Sequence, residues 1–189
     1  ADPPHASQVG RFAGGFAPYR ALSRIGVPAW GYVDRHGAVA LPPTHDFAGE
    51  FSEGLAAAQQ DDLFGYLGPG MDFVIPPQFS VAGEFHGGLA PVAIDALTGY
   101  CDRSGTMVIE PRFARGGAFA EDLAPVVVGN RTGFIDPRGR MVIEPTFDTA
   151  LPFSEGLAAV RVSHRWGYID KTGRRVVERE DDFVHVAVV

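Results

Sequence analysis

The sequence predicts an all-β protein assembled from tandem copies of a 34-residue unit. The first observation is a glycine that recurs every 34 residues, at Gly31, Gly65, Gly99, Gly133 and Gly167. The second is that three other series keep the same step, a phenylalanine from Phe51, a leucine from Leu55 and a proline from Pro43. The third is that no segment carries an extended 3.6-residue apolar period, which argues against long helices. Four series with one period indicate copies of one structural unit.

Each unit is expected to fold as a three-stranded antiparallel β-meander. In the clearest copy Leu157–Val162 is short, apolar and rich in β-branched residues, as strands are. Trp166–Asp170 forms the second predicted strand and Arg174–Glu178 the third, which the proline series is expected to end or to mark as a sheet edge. So thin a sheet cannot bury its apolar face alone. We therefore expect an open stacked array, with a closed five-bladed toroid as the alternative.

The turn between the second and third strands follows an Asp-x-x-Gly pattern. Its copies begin at Asp34, Asp102, Asp136 and Asp170. The Asp carboxylate accepts hydrogen bonds from the following backbone N–H groups, and the final glycine takes the left-handed conformation that forms a bulge. The second unit carries Gly68-Pro69-Gly70 instead, so we expect that hairpin to be rearranged.

The repeats divide the chain into one domain with atypical ends. Residues 1–189 are expected to form a single β-repeat domain, with repeat units over residues 21–178. Residues 1–20 resemble a unit that lacks two residues, which predicts a degenerate N-terminal cap. Residues 179–189 resemble a shortened phenylalanine-plus-strand portion, which predicts a C-terminal cap strand. Terminal units of repeat arrays are often atypical in this way.

Several of the repeated segments are similar to a known family. They are WGYVDRHG (30–37), MVIEPTF (141–147), FSEGLAAV (153–160) and WGYIDKTG (166–173). These segments resemble the WG-repeat family of bacterial β-rich repeats, over roughly Phe51 to Val177. The resemblance implies a β-repeat module of exported or envelope-associated proteins, and it supplies no catalytic residues. The tryptophan position holds Phe64, Thr98 and Thr132 in the middle units, so no continuous aromatic ladder is expected there.

The charge of the chain restricts its partners. The net charge is −7 and Lys171 is the one lysine, so the chain repels phosphate backbones and anionic membrane surfaces. No apolar run approaches the roughly 20 residues of a membrane span. We therefore expect no nucleic-acid partner and no membrane insertion, and the acidic balance suits a basic partner protein.

No motif indicates catalysis or a bound metal or cofactor. The six histidines are scattered and the sole cysteine, Cys101, stands where other units carry valine or isoleucine, so it is expected to be buried. The Asp-x-x-Gly turns supply too few oxygen ligands for calcium. Glu53, Glu121 and Glu155 recur one unit apart, too far for a catalytic carboxylate pair, and are expected to be solvated or to stabilise turns. We expect no catalytic residue, no metal and no cofactor.

Candidate binding residues are those that differ between units. Binding specificity in repeat arrays usually resides where the units differ. Here that is the connection before the second strand, which reads QQDDLF, IDALT, GNRT and SHRW in successive units. The candidates are Asp61, Asp62, Leu63, Asp95, Leu97, Arg131, His164 and Arg165. The tryptophans and tyrosines are instead expected to pack between units rather than to form a sugar-binding face.

These observations favour a non-catalytic protein-binding or scaffold module. One alternative is an inhibitor or immunity protein that blocks a partner enzyme or toxin, since the acidic charge suits a basic target. A second alternative is a carbohydrate- or cell-wall-binding module. The start ADPPHASQ is typical of a mature end left by signal-peptide removal, and a trimmed fragment would look the same. We expect a periplasmic or secreted protein, with a cytoplasmic location as the alternative.

Overall fold

In the computed structural model, residues 6–177 are described, and they form five antiparallel four-stranded sheets without a helix. The first sheet contains β1 (Gln8–Val9), β2 (Phe16–Leu22), β3 (Pro28–Asp34) and β4 (Val39–His45). The second contains β5 (Phe47–Ala48), β6 (Ala56–Gln60), β7 (Leu63–Leu67) and β8 (Phe73–Phe79). The third contains β9 (Val81–Ala82), β10 (Leu89–Ile94), β11 (Leu97–Asp102) and β12 (Met107–Phe113). The fourth contains β13 (Arg115–Gly116), β14 (Ala124–Val128), β15 (Arg131–Ile135) and β16 (Met141–Phe147). The fifth contains β17 (Thr149–Ala150), β18 (Leu157–Val162), β19 (Arg165–Asp170) and β20 (Arg175–Val177).

The expected all-β tandem meanders are confirmed, but each sheet has four strands rather than three. The additional strand has two residues and lies at the sheet edge, before the first long strand. In the third sheet Val81 and Ala82 pair with Ala93 and Val92 of β10. Two residues cannot display the alternation that identifies a strand in a sequence, and they pair here only because the chain returns along β10. The predicted cap strand at 179–189 lies outside the described residues.

The recurring glycine allows two strands to approach closely at a bulge. In the third sheet the pairing of β11 with β12 shifts register at Gly99. A Cβ on Gly99 would lie 2.4 Å from the carbonyl oxygen of Ile109 and 2.7 Å from the nitrogen of Pro111. Glycine is therefore required by the opposing backbone. The prediction that the proline ends its strand is wrong, because β12 continues to Phe113, but the strand does lie at the sheet edge, where proline is tolerated.

The Asp-x-x-Gly turns have the predicted geometry. Asp102 Oδ1 accepts hydrogen bonds from the backbone nitrogens of Ser104, at 2.9 Å, and Thr106, at 3.1 Å, and Gly105 has φ +86°. The expectation that the second unit is rearranged is wrong. Gly68 and Met71 form the same backbone hydrogen bonds as Asp102 and Gly105, and Met71 takes the left-handed conformation at φ +64°.

The core consists of four equivalent junctions between consecutive sheets. At each junction an aromatic ring of one sheet packs against a phenylalanine of the next, with centroids 4.7 Å apart for Tyr66 and Phe85 and 5.0 Å apart for Tyr100 and Phe119. Buried tyrosine hydroxyls donate across the junction, as from Tyr66 to the carbonyl oxygen of Gly83 at 2.7 Å. The aromatic pairs at the other two junctions are Tyr32–Phe51 and Phe134–Phe153.

The sheets form an open array. The larger contacts between sheets join consecutive ones: β3 with β5, β7 with β9, β11 with β13, and β15 with β17. Within residues 6–177 no contact of comparable extent joins the first sheet to the fifth. The open stacked array is therefore confirmed over the closed toroid.

Candidate binding surface

The hairpins between the first and second long strands carry the predicted binding residues at their tips. In the second, third and fifth sheets these hairpins have two-residue turns in which both residues take positive φ, at Asp61-Asp62, Asp95-Ala96 and Ser163-His164. Such type I′ turns match the twist of the flanking strands but favour glycine and asparagine. Left-handed backbone costs an ordinary L-residue roughly 1–2 kcal/mol. These three tips therefore keep strained side-chain-bearing residues where glycine would relieve the strain.

All eight predicted residues lie at these tips and are exposed. Asp61, Asp62, Asp95 and His164 are turn residues. Leu63, Leu97, Arg131 and Arg165 are the first residues of the strands that leave the turns, β7, β11, β15 and β19. Corresponding positions of stacked units lie at the same end of each sheet, so the tips form one edge of the array.

One direct contact joins two neighbouring tips. The Arg131 guanidinium forms a salt bridge with the Oδ1 atom of Asp148. The other carboxylate oxygen of Asp148 accepts a hydrogen bond from the backbone nitrogen of Ser163 at 2.7 Å. Asp148 thus ties the tip of the fourth sheet to that of the fifth. This residue was missed by the sequence reasoning because its position precedes the short strand, which was itself not predicted.

Apolar side chains accompany the charges along the tip edge. Leu63 is 41% exposed, Leu97 is 42% exposed and Trp166 is 55% exposed. The first sheet has a longer connection, residues 23–27, in which Ile25 is 86% exposed. Exposed apolar side chains among charged ones are characteristic of protein interaction surfaces. We name this edge, from residues 22–27 through the tips of the following sheets, the tip edge.

The opposite end of the sheets is held together by glutamates. Glu53 accepts hydrogen bonds from the backbone nitrogens of Gly87, at 2.7 Å, and Gly88, at 2.9 Å, one unit further on. Glu121 likewise accepts from the nitrogen of Gly156 and forms a salt bridge with Lys171 at 3.1 Å. These glutamates stabilise the next turn, as one of the sequence interpretations held.

A shallow groove was not predicted. It has a volume of about 390 Å³ and runs past the edge strands β5, β9 and β13. Glu50, Glu84 and His86 contribute polar groups, and His86 Nε2 lies 3.5 Å from Glu84 Oε2. The available signal was the tetrapeptide AGEF, which occurs at residues 48–51 and again at 82–85. Without knowledge of the short strand, nothing placed the two copies beside one groove.

The residues that offered other chemistry are occupied in packing. Cys101 is buried, as expected, and burial raises the pKa of its thiol to about 12, so it is not a thiolate at neutral pH. Tyr32, Tyr66 and Tyr100 are buried, and burial raises the pKa of each hydroxyl. Their rings are therefore not available to stack on a sugar. Among residues 6–177 no group of three or more His, Cys, Asp or Glu side chains is placed to hold a metal ion.

The fold and the tip edge define a class: a β-repeat protein whose uniform core presents differing hairpin tips. The model of the family described as "WG containing repeat" matches residues 30–64, 64–97, 99–131 and 133–163, more than half of the chain. The chain belongs to this WG-repeat family.

Two other comparisons add little. Curated proteins include no match to this chain. Among solved structures it is similar to a protein described as "Crystal structure of the eukaryotic initiation factor", with a TM-score of 0.45 and 12% identity over 91% of this chain and 66% of that one. The chain therefore spans just under two thirds of that protein. In the described part of the chain, no helix is long and apolar enough to cross a membrane.

Proposed function

We propose that this chain is a non-catalytic protein-binding module and that it binds its partner through the tip edge. The observation that carries the proposal is the strained conformation of the tips. Asp61-Asp62, Asp95-Ala96 and Ser163-His164 keep left-handed backbone without glycine. Backbone strain of this kind persists where the side chains at that position serve a function. The rest of each unit is occupied by packing and turn chemistry.

The composition of the tip edge indicates the kind of partner. Asp61, Asp62 and Asp95 form an acidic segment beside the exposed leucines Leu63 and Leu97. A complementary surface would carry an apolar strip flanked by lysines or arginines. This fits the net charge of −7 and an exported or envelope-associated protein that binds a basic protein. Immunoblotting of periplasmic, culture and cytoplasmic fractions tests the location, and a wholly cytoplasmic protein would contradict it.

The test separates binding from folding. Replacing Asp61→Asn together with Asp62→Gly keeps the type I′ turn and removes both carboxylates. Met71→Gly is the matched control, because it relieves left-handed strain at the opposite end of the same sheet without altering the tip edge. Both variants should fold, as judged by far-UV circular dichroism.

We expect the wild type and Met71→Gly to retain the same partner in quantitative capture experiments. The tip variant should lose at least tenfold in affinity for that partner. Equal retention by both variants would refute the tip edge as the binding surface. Turnover of an ester or glycoside substrate by the purified protein would refute the non-catalytic assignment.

A further inference from the structure

Every junction in the array is closed by one pattern of side chains. We call the side of a sheet that is turned towards the next sheet its forward face. A phenylalanine and two small apolar residues from the next unit pack onto that face, with the spacing Phe-x4-Ala-x-Ala/Val. The four sets are Phe51, Ala56 and Ala58; Phe85, Ala90 and Val92; Phe119, Ala124 and Val126; and Phe153, Ala158 and Val160.

The forward face of the fifth sheet has no such cover among the described residues. Tyr168 occupies the position of the fully buried Tyr66 and Tyr100, yet it is only half-buried. Leu157, which corresponds to the buried Leu123, is also partly exposed. The apolar side chains of this face are those that the next unit buries elsewhere.

This face also carries an arginine that no other unit has. Arg161 stands where the earlier sheets have Gln59, Ala93 and Val127, and its guanidinium lies 5.8 Å from the ring of Trp166. The Nε atom of Arg161 is buried and has no hydrogen-bond partner in the described part of the chain. A buried guanidinium nitrogen requires an acceptor, preferably a carboxylate.

The opposite end of the array differs. On the first sheet Ala17 and Tyr19 occupy the positions of Ala90 and Val92, and both are already buried. Phe12, at the position of Phe85, is 60% exposed. The face that leaves its central side chains uncovered is therefore the one on the fifth sheet.

The chain that follows β20 has the sequence that this face requires. Residues 178–182 contain four carboxylates and one arginine. Phe183, Ala187 and Val189 then follow with the spacing Phe-x3-Ala-x-Val, one residue shorter than at the other junctions. Six residues separate Val177 from Phe183, and an extended segment of that length reaches about 20 Å, enough to turn back onto the sheet.

We propose that residues 178–189 dock on the forward face of the fifth sheet and end the array. Phe183 packs against Tyr168 as Phe119 packs against Tyr100, and Ala187 and Val189 take the places of Ala158 and Val160. A carboxylate of residues 178–182 accepts a hydrogen bond from Arg161. The inference does not depend on the proposed protein-binding function, because the docked segment lies on a sheet face and not on the tip edge.

Photo-crosslinking locates the segment. Trp166, which is exposed at the border of the face, is replaced by p-benzoylphenylalanine in the full chain, and the product is digested and sequenced by mass spectrometry. We expect an adduct within one chain, to residues 183–189, whose yield does not change on tenfold dilution. An adduct between two chains would mean that a second copy covers the face, and an adduct to the first sheet would mean that the array closes. Either result, or no adduct at all, would overturn the proposal.

Substitutions test the energetics. Phe183→Ala should lower the melting temperature by roughly 4–10 °C, since loss of a buried ring in a chain of this size has an effect of that order. Phe12→Ala, at the same repeat position but exposed, is the matched control and should lower it by less than about 3 °C. Arg161→Gln should reduce the effect of replacing the carboxylates of residues 178–182 with amides. Equal melting temperatures for Phe183→Ala and wild type would overturn the proposal.

Discussion

The equivalence of the four junctions makes a quantitative prediction about one repeat position. Phe119→Ala removes a ring that is 5% exposed and that packs edge-on against Tyr100 at 5.0 Å. Truncation of a buried phenylalanine destabilises by about 3–5 kcal/mol, of which the aromatic pair contributes about 1 kcal/mol. Total stabilities are typically about 5–15 kcal/mol, so this substitution should bring the protein close to unfolding.

Phe12→Ala removes the same side chain from the corresponding position of the first sheet, where the ring is 60% exposed. Complete burial of a phenylalanine contributes about 1.5–3 kcal/mol, so a ring that is 40% buried should lose about 1 kcal/mol. Urea unfolding followed by far-UV circular dichroism measures both values on the full chain. Equal losses for the two variants, or a loss below 1 kcal/mol for Phe119→Ala, would refute the reasoning that junction packing holds the array together.

Three further predictions follow from single contacts. Gly133→Ala would place a Cβ 2.5 Å from the carbonyl oxygen of Ile143, so we expect a loss of about 3 kcal/mol in urea unfolding, and a loss below 1 kcal/mol would contradict the close approach. Tyr100→Phe removes the hydroxyl that donates to the carbonyl oxygen of Gly117 at 2.9 Å; differential scanning calorimetry should show a loss of about 1 kcal/mol, and an unchanged stability would show that this bond contributes nothing. Hydrogen bonds from the side chain and backbone of Ser104 lower the pKa of Asp102, so its contribution is present above about pH 4 and is lost as the pH falls through the lowered folded-state value. Asp102→Asn should therefore flatten the decline in unfolding free energy below pH 4, and an identical acid dependence in variant and wild type would exclude this role.

The long strands and the turns could be predicted because their causes are local. An Asp whose carboxylate caps its own turn, and a glycine that takes positive φ three residues later, need no information from distant residues. The period of 34 residues then placed every unit in register. The same locality explains why Asp61, Asp95 and His164 could be assigned to exposed tips from the sequence.

The failures involve contacts between segments. The short strand β9 exists only because β10 offers it a partner, and Val81-Ala82 carries no pattern of its own. The hairpin at residues 68–71 keeps its geometry although Met71 replaces glycine, because the two strands that it joins fix its ends. Gly99 was recognised as a period marker, but its reason, the carbonyl oxygen of Ile109 on the opposing strand, appears only when the bulge is seen.

Because all internal junctions use the same contacts, the number of sheets is not fixed by the chemistry of any one of them. Removing a segment of 34 residues between matching positions, such as Gly99 and Gly133, would join two faces that already fit, and inserting a segment of that length would do the same. Unequal recombination between neighbouring copies in the gene would therefore shorten or lengthen this protein without passing through a misfolded intermediate form. Selection can then adjust the reach of the molecule by whole sheets while each point substitution at a tip adjusts what a single sheet touches.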